Sequence, residues 1–273
     1  MKTTSKVLSV ASIGFALTAS LAANAQTLVG DYEFNNTLSS SVSGAPDLIA
    51  TDPLGQNNFG TATVLGSTHS VYNFVGNTTP SQQAGLTLDT SSLITPNNYS
   101  VQLVASLDNV DTWRRLIDTQ NRASDNGFYY NPSHQLEVFP IAGGGTQVLA
   151  NTFEDVVLTV TAGVGGNPST VKGYLNDDLE FTATTDVMNL NFDTTDNPGA
   201  LMNFFLDNLV GGGQGEYSSG SVAEIKVYDG VLSDQQVADL DANPLSPAPE
   251  ATSTVFLLSL ATGVLLGFNR KQK

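Results

Sequence analysis

The sequence predicts an all-β protein: an antiparallel two-sheet jelly-roll sandwich with one short helix after its last strand. Three observations predict it. Between residues 27 and 245, long helical patterns are few and short strand-like runs are many. Several of those runs alternate apolar and polar residues with a period of two. Clusters of Gly, Asn, Asp and Pro separate them at short intervals.

Taken in order, the chain of 273 residues opens with a processing signal. Lys2 and Lys6 form a positive start, Val7 to Leu21 is mostly apolar, and Ala23-Asn24-Ala25 fits the small-x-small rule. Residues 1–25 therefore read as a signal peptide, with signal peptidase cutting before Gln26. The body spans residues 26–243. Tyr99 to Leu107 is rich in β-formers. In Asp155 to Ala162, Val156, Leu158, Val160 and Ala162 share one face, and Val157, Thr159 and Thr161 share the other. Ser169 to Thr184 reads as a hairpin turning at Asn176-Asp177-Asp178. "AGGGT" and "GGGQGEYSSG" read as flexible loops. Ser221 to Tyr228 points Ala223, Ile225 and Val227 one way, and Glu224, Lys226 and Tyr228 the other. Ser233 and Gln236 form a capping box for a helix whose apolar edge is Val237 and Leu240.

Residues 244–250 form a stiff proline-rich linker, and residues 251–273 an apolar run with a basic tail. Eighteen uncharged residues from Ala251 would span about 27 Å as a helix, close to a hydrocarbon core. Arg270, Lys271 and Lys273 would then stay on the cytoplasmic side.

Charge and cysteine usage bound the function. Only five of the ten basic residues lie between 26 and 250, whereas all 26 acidic residues do, so the body carries about −21. Such a surface repels phosphate backbones and argues against nucleic-acid partners. It tolerates hard cations such as calcium. With no cysteine, thiol catalysis, thiolate zinc sites and disulfides are excluded. His69 and His134 stand apart, which is a weak metal signal.

Pro249-Glu250, the apolar run and the basic tail resemble the PEP-CTERM sorting signal of Gram-negative bacteria. Here Ala251 stands where that family commonly has a second proline. The resemblance implies recognition by an inner-membrane exosortase, a transient hold in that membrane, and a destination in the cell envelope or outside the cell. It also implies association with exopolysaccharide production. A permanent membrane anchor is the alternative.

The body resembles the laminin G-like, or concanavalin A-like, jelly-roll family. "GDYEFNNTLSSS", "GLTLDTSSLITPNNYSVQLVASL", "RRLIDT", "NGFYYN", "EDVVLTVTA", "VKGYLNDDLEF" and "SVAEIKVYDGVLSDQQVADL" match its segments in order. The resemblance implies a domain that binds glycans or protein partners at rim loops, often with calcium. Glu33 and Glu224 on the terminal strands, and Asp207 and Asn208 beside a glycine-rich loop, are candidate oxygen ligands for a structural ion. Trp113 and Tyr129 are candidates for stacking a sugar ring. Arg114 and Arg115 are expected to alternate, one of them exposed, with Arg115 within reach of Asp118.

Catalysis is not expected. The hydrolases of this fold carry a Glu-x-Asp-x-x-Glu strand, because retaining hydrolysis needs two carboxyl groups about 5 Å apart. "NDDLE" has the wrong spacing and no G-x-S-x-G occurs. The expected function is a non-catalytic glycan-binding or adhesion module. The alternatives are a structural surface or biofilm protein with no small ligand, and a degenerate glycoside hydrolase.

Overall fold

The computed structural model describes residues 26–190, 200–210 and 215–245. Gln26 is the first of these. Ala23, Ala25, Pro249, Glu250 and the apolar run after them lie outside the described residues. No helix among the described residues is long and apolar enough to cross a membrane.

The strands are β1 (Thr27–Tyr32), β2 (Ile49–Thr51), β3 (Asn58–Val64), β4 (Ser67–Phe74), β5 (Gly85–Asp89) and β6 (Tyr99–Leu107). They continue as β7 (Arg114–Asp118), β8 (Gly127–Tyr130), β9 (Gln135–Phe139), β10 (Ala142–Gln147) and β11 (Glu154–Thr161). The last are β12 (Thr170–Leu175), β13 (Asp178–Thr184), β14 (Leu201–Phe204) and β15 (Gly220–Asp229), followed by helix α1 (Asp234–Asp241). One sheet of eight strands runs β13-β12-β11-β6-β15-β4-β3, with β1 also paired to β15. The other, of seven, runs β10-β9-β8-β7-β14-β5-β2. Every described pairing is antiparallel. The result is the two-sheet sandwich that the sequence predicts.

The core lies between the sheets and follows the period of two. Val156, Leu158 and Val160 face it, together with Val101, Leu103, Phe128, Tyr130, Met202 and Phe204. Gly173 has to lack a side chain, because a Cβ there would meet the Phe181 ring at 2.5 Å. The hairpin between β12 and β13 turns on Asn176 and Asp177, both at positive φ. That is the backbone of a two-residue primed turn, which Asn and Asp tolerate.

Three expectations are corrected. A bulge between Val222 and Glu224 shifts β15, so Ala223 leaves the core face and joins Val64, Val71 and Val104 outside it. "AGGGT" is not a loop but most of β10, paired to β9. Arg114 and Arg115 are both buried, because loops fold over the outer face of their sheet.

The outer face of the eight-stranded sheet is covered too. Helix α1 lays Val237 and Leu240 against Val157, Tyr174 and Tyr228. Its N-terminus carries the expected capping box at Ser233 and Gln236. This cover explains why every residue of β6 is buried, polar Ser100 and Gln102 included.

Candidate functional site

Strand β7 sits near the middle of the seven-stranded sheet and carries Arg115 on its outer face. Arg115 Nε donates to the Tyr129 hydroxyl at 2.6 Å, Nη1 to Asp118 Oδ1 at 3.0 Å and Nη2 to the Ser124 carbonyl at 2.9 Å. Its guanidinium also lies 4.8 Å from the Tyr129 ring centre. Asp118 Oδ2 accepts from Asn203 Nδ2 at 2.9 Å and from the Arg122 amide at 2.8 Å. The expected Arg115–Asp118 pair is therefore formed, and it is fully buried.

A second layer comes from the segment after β14. Asp207 Oδ1 accepts from the Asn208 amide at 2.7 Å and lies 3.8 Å from Arg115 Nε. Asp207 Oδ2 accepts from the Glu216 amide at 3.1 Å. Asn208 Nδ2 donates to Asp125 Oδ1 at 2.7 Å, and Arg122 Nε donates to the Asp207 carbonyl at 2.6 Å. The loops after β7 and β14 are thus pinned to one another by a buried arginine and its acids.

Asp125, Asp207 and Glu216 converge here, each offering a carboxylate oxygen within 4.8 Å of the others. Burial pushes the Glu216 carboxyl up to about 7, and Asp207 and then Asp125 add to the rise. Trp113, two residues before Arg115, is half-buried. It sits edge-on to Tyr129 at 5.7 Å and to Phe139 at 5.0 Å between ring centres. Exposed Asp125, half-buried Glu216, Glu137 and Trp113 make this the place where the network opens to solvent.

The expected residues divide between two places. Asp207 and Asn208 belong to this network. Glu224 and Asp31 lie on the other sheet and Glu33 just past the end of β1, their oxygens again within 4.8 Å of one another. Glu224 Oε1 is 2.7 Å from Lys226 Nζ, which also donates to the Pro244 carbonyl at 2.9 Å. Burial still holds the Glu224 carboxyl at about 8, with Lys226 opposing and Asp31 reinforcing the rise. Exposed Glu33 accepts from Asn35 Nδ2 at 2.9 Å. The four residues therefore do not form a single site. Tyr129 also departs from expectation: it is 1% exposed, with its ring against Arg115, so its face is not open to a sugar.

Asp31, Asp125 and Glu216 were not singled out from the sequence. Asp31 had a signal: it stands two residues before Glu33, hence on the same face of an alternating strand. Asp125 and Glu216 had none, because long-range folding alone brings them together.

The two acid groups differ in how they suit a hard cation. At Asp31, Oδ1 is buried with no hydrogen-bond partner, but the Lys226 ammonium already sits on Glu224. In the other set, exposed Asp125 and half-buried Glu216 face a partly open rim, Asp207 lies fully buried beneath them, and Arg115 offsets part of their charge. Both sets offer the oxygen chemistry calcium takes, and the rim set is open to exchange with solvent.

Residues 80–238 match the sequence pattern of the concanavalin A-like lectin/glucanases superfamily. No curated protein matches the chain. Domain 4 of AbnA, an extracellular GH43 arabinanase of Geobacillus stearothermophilus solved with arabinotriose, superposes with a TM-score of 0.55 at 19% identity. The match covers 80% of this chain and 99% of that one. A botulinum neurotoxin type C structure, whose cell entry depends on two ganglioside molecules, gives 0.51 at 10% identity. That match covers 81% of this chain and about half, 52%, of the neurotoxin chain. These likenesses show the fold.

Proposed function

The chain belongs to the concanavalin A-like lectin/glucanases superfamily, and from that premise we propose that its body is a non-catalytic carbohydrate-binding or adhesion module. The observation that carries this reading is Trp113, half-buried and braced edge-on by Phe139 and by Tyr129, whose hydroxyl accepts from Arg115 and donates to the Asp125 carbonyl and so ties the indole to the network that holds Asp125 and Glu216. An indole face packs against the apolar side of a sugar ring, and carboxylates and amides bond its hydroxyls. The buried Arg115 network keeps these groups in place before any ligand arrives. A strongly acidic body favours neutral sugars over uronate-rich polysaccharides.

Calcium fits the rim acids. Asp125, Asp207 and Glu216 would hold it, and its charge would offset the repulsion that raises Glu216. Melting with calcium and with chelator tests this. A higher midpoint with calcium supports the site, and an unchanged one removes it.

The ends complete the proposal. Signal peptidase would release residues 1–25, and an exosortase would act at Pro249-Glu250 and hand the body to the cell envelope or the medium. Mass spectrometry of the protein recovered from cells and medium checks both cuts. An intact C-terminus in every fraction would favour permanent anchoring.

A glycan array of neutral and uronate-rich polysaccharides tests the binding reading. Signal on neutral glycans supports it, and a blank array would favour a purely structural surface protein. One observation favours a hydrolase as the second reading: Glu216 is held near 7 beside other carboxylates. Against it, Asp207 is completely buried and cannot reach a sugar carbon. Release of reducing ends from β-glucan or arabinan by the purified protein would establish catalysis.

A further inference from the structure

Helix α1 covers the outer face of the eight-stranded sheet at Val157, Tyr174 and Tyr228. Further along the same strands, alternation turns Thr159 and Thr161 of β11 outward, with Lys172 and Thr170 of β12. They stand opposite one another, Thr159 with Lys172 and Thr161 with Thr170. The floor continues into β13, where Thr182 pairs with Lys172 and Thr184 with Thr170. Thr161, Thr182 and Thr184 are exposed, and Thr170 and Lys172 are half-buried.

A wall rises beside this floor. The chain that leads from β15 into α1 is held down on β6: the Leu232 amide donates to Ser100 Oγ at 2.9 Å, and Ser100 Oγ donates to the Gly230 carbonyl at 3.2 Å. Between wall and floor lies a groove of about 440 Å³, in the size range of ligand pockets. It is on the opposite outer face from Trp113, and none of its lining residues belongs to the Arg115 network.

The charges in the groove are paired before any ligand arrives. Lys172 Nζ and the Tyr174 hydroxyl both donate to Asp234 Oδ1, at 2.6 and 2.7 Å. The Lys172 bond, and after it the Tyr174 bond, hold the Asp234 carboxyl below the usual carboxylate range. The pair keeps spare capacity. An ammonium has three donors, and a carboxylate with about four lone-pair sites can accept beyond these two bonds. Thr161 and Thr170 add hydroxyls that both donate and accept. Half-buried Val231 adds an apolar contact. An entering cation meets Lys172 and an entering anion meets Asp234, so the groove disfavours net charge of either sign. What fits is a neutral ligand with many hydroxyls. The row from Thr161 through Thr170 to Thr184 crosses two strand spacings, about 10 Å, so that ligand is extended.

We infer that this groove is a second carbohydrate site, which takes a neutral oligosaccharide laid across β11, β12 and β13 with its hydroxyls on Lys172, Asp234, Thr161 and Thr170. The ligand class rests on the carbohydrate-binding reading of the body, but the site does not depend on Trp113. No aromatic ring is among the residues that line the groove, so it binds more weakly than a site with an indole platform. The two sites lie on opposite outer faces. One body therefore joins two polysaccharide strands rather than gripping one strand twice.

Site-resolved nuclear magnetic resonance of the full chain tests this, in a mild non-ionic detergent without a sugar headgroup. Arabinotriose, cellotriose and mannotriose are titrated beside trigalacturonate. The neutral sugars are expected to shift the backbone amides of Thr161, Thr170 and Lys172, with a midpoint separate from that of the Trp113 indole N–H. Thr170→Val keeps a β-branched residue on the strand, so it should hold the melting curve and weaken the groove titration about threefold to tenfold. Lys172→Met should weaken it about tenfold or more. Both should leave the indole titration unchanged, and Trp113→Ala should leave the groove titration unchanged. Shifts at the groove alone would support the inference while contradicting the role of Trp113. Shifts at the indole alone would overturn the inference and leave that role standing. Groove amides that Thr170→Val and Lys172→Met leave equally sensitive, or that trigalacturonate moves at lower concentration than the neutral sugars, would also overturn it.

Discussion

Both outer faces of this sandwich bury charge, and they do so in opposite ways. On the seven-stranded sheet, Arg115, Asp118, Asn203 and Asp207 satisfy one another and the loops above them, and only Nε2 of the adjoining Gln83 is left without a partner among the described residues of that network. On the eight-stranded sheet, Asp31, Gln102, Asp155 and Tyr228 each keep a buried oxygen with no hydrogen-bond partner. There burial pushes Asp155 up to about 7 and Glu224 to about 8. The first face is closed by arginine and opens at its rim beside Trp113. The second is closed by α1 and by Leu245, which packs on Val64, Val71 and Val104. The difference separates roles. A satisfied network can hold a binding rim rigid, whereas an unsatisfied row under a helix stores instability that pH can release.

The largest effect expected from this contrast is at Arg115. Arg115→Met leaves Asp118 and Asp207 buried without their counter-charge, and should cost about 3–5 kcal/mol in urea unfolding. Lys226→Met should cost less near neutral pH, because Glu224 can take a proton there and lose its charge. Equal losses would mean that the two faces bury charge alike.

The next effect is on pH. Glu216, Asp155 and Glu224 are held above the ordinary carboxylate range, so the folded chain binds more protons than the unfolded one between about pH 4.5 and 8. Their contribution is complete below the unfolded value and is lost as pH rises through the folded values. The melting midpoint should therefore fall by roughly 5 °C or more from pH 5 to pH 8. Glu224→Gln should flatten part of that slope. A midpoint that rises over this range would contradict the assignment of raised carboxyls.

A smaller effect is expected at the cover itself. Ser233→Ala removes the side-chain cap of α1 and should cost about 1 kcal/mol. It should also speed amide exchange of α1 while leaving the Arg115 face unchanged. Exchange that quickens on both faces would join them into one unit.

The comparison also shows which features were legible in the sequence. The alternation of Val156, Leu158 and Val160, the capping box at Ser233, and the turn at Asn176-Asp177 were all readable, because each is set by neighbours within a few residues. The Arg115–Asp118 pair spans three positions and was equally visible. The bulge at Ala223 was not, since a single extra residue reverses the faces without altering composition. Strand β10 was hidden because three glycines carry no β signal, and pairing with β9 alone makes it a strand. The rim site was half legible. Asp207 and Asn208 stand beside a glycine-rich stretch, but Asp125 reaches Asn208 across 83 residues and only the fold brings it there. Tyr129 was misplaced because alternation puts it on an outer face, and an outer face here is not an exposed one.

The measurement that bears most directly on the central claim is a calorimetric titration of neutral oligosaccharides, arabino-oligosaccharides first, into the chain and into Trp113→Ala. The account predicts binding by the chain and at least about tenfold weaker binding by the variant, with melting nearly unchanged. Equal affinity of the two proteins, or turnover of the sugar during the titration, would contradict it.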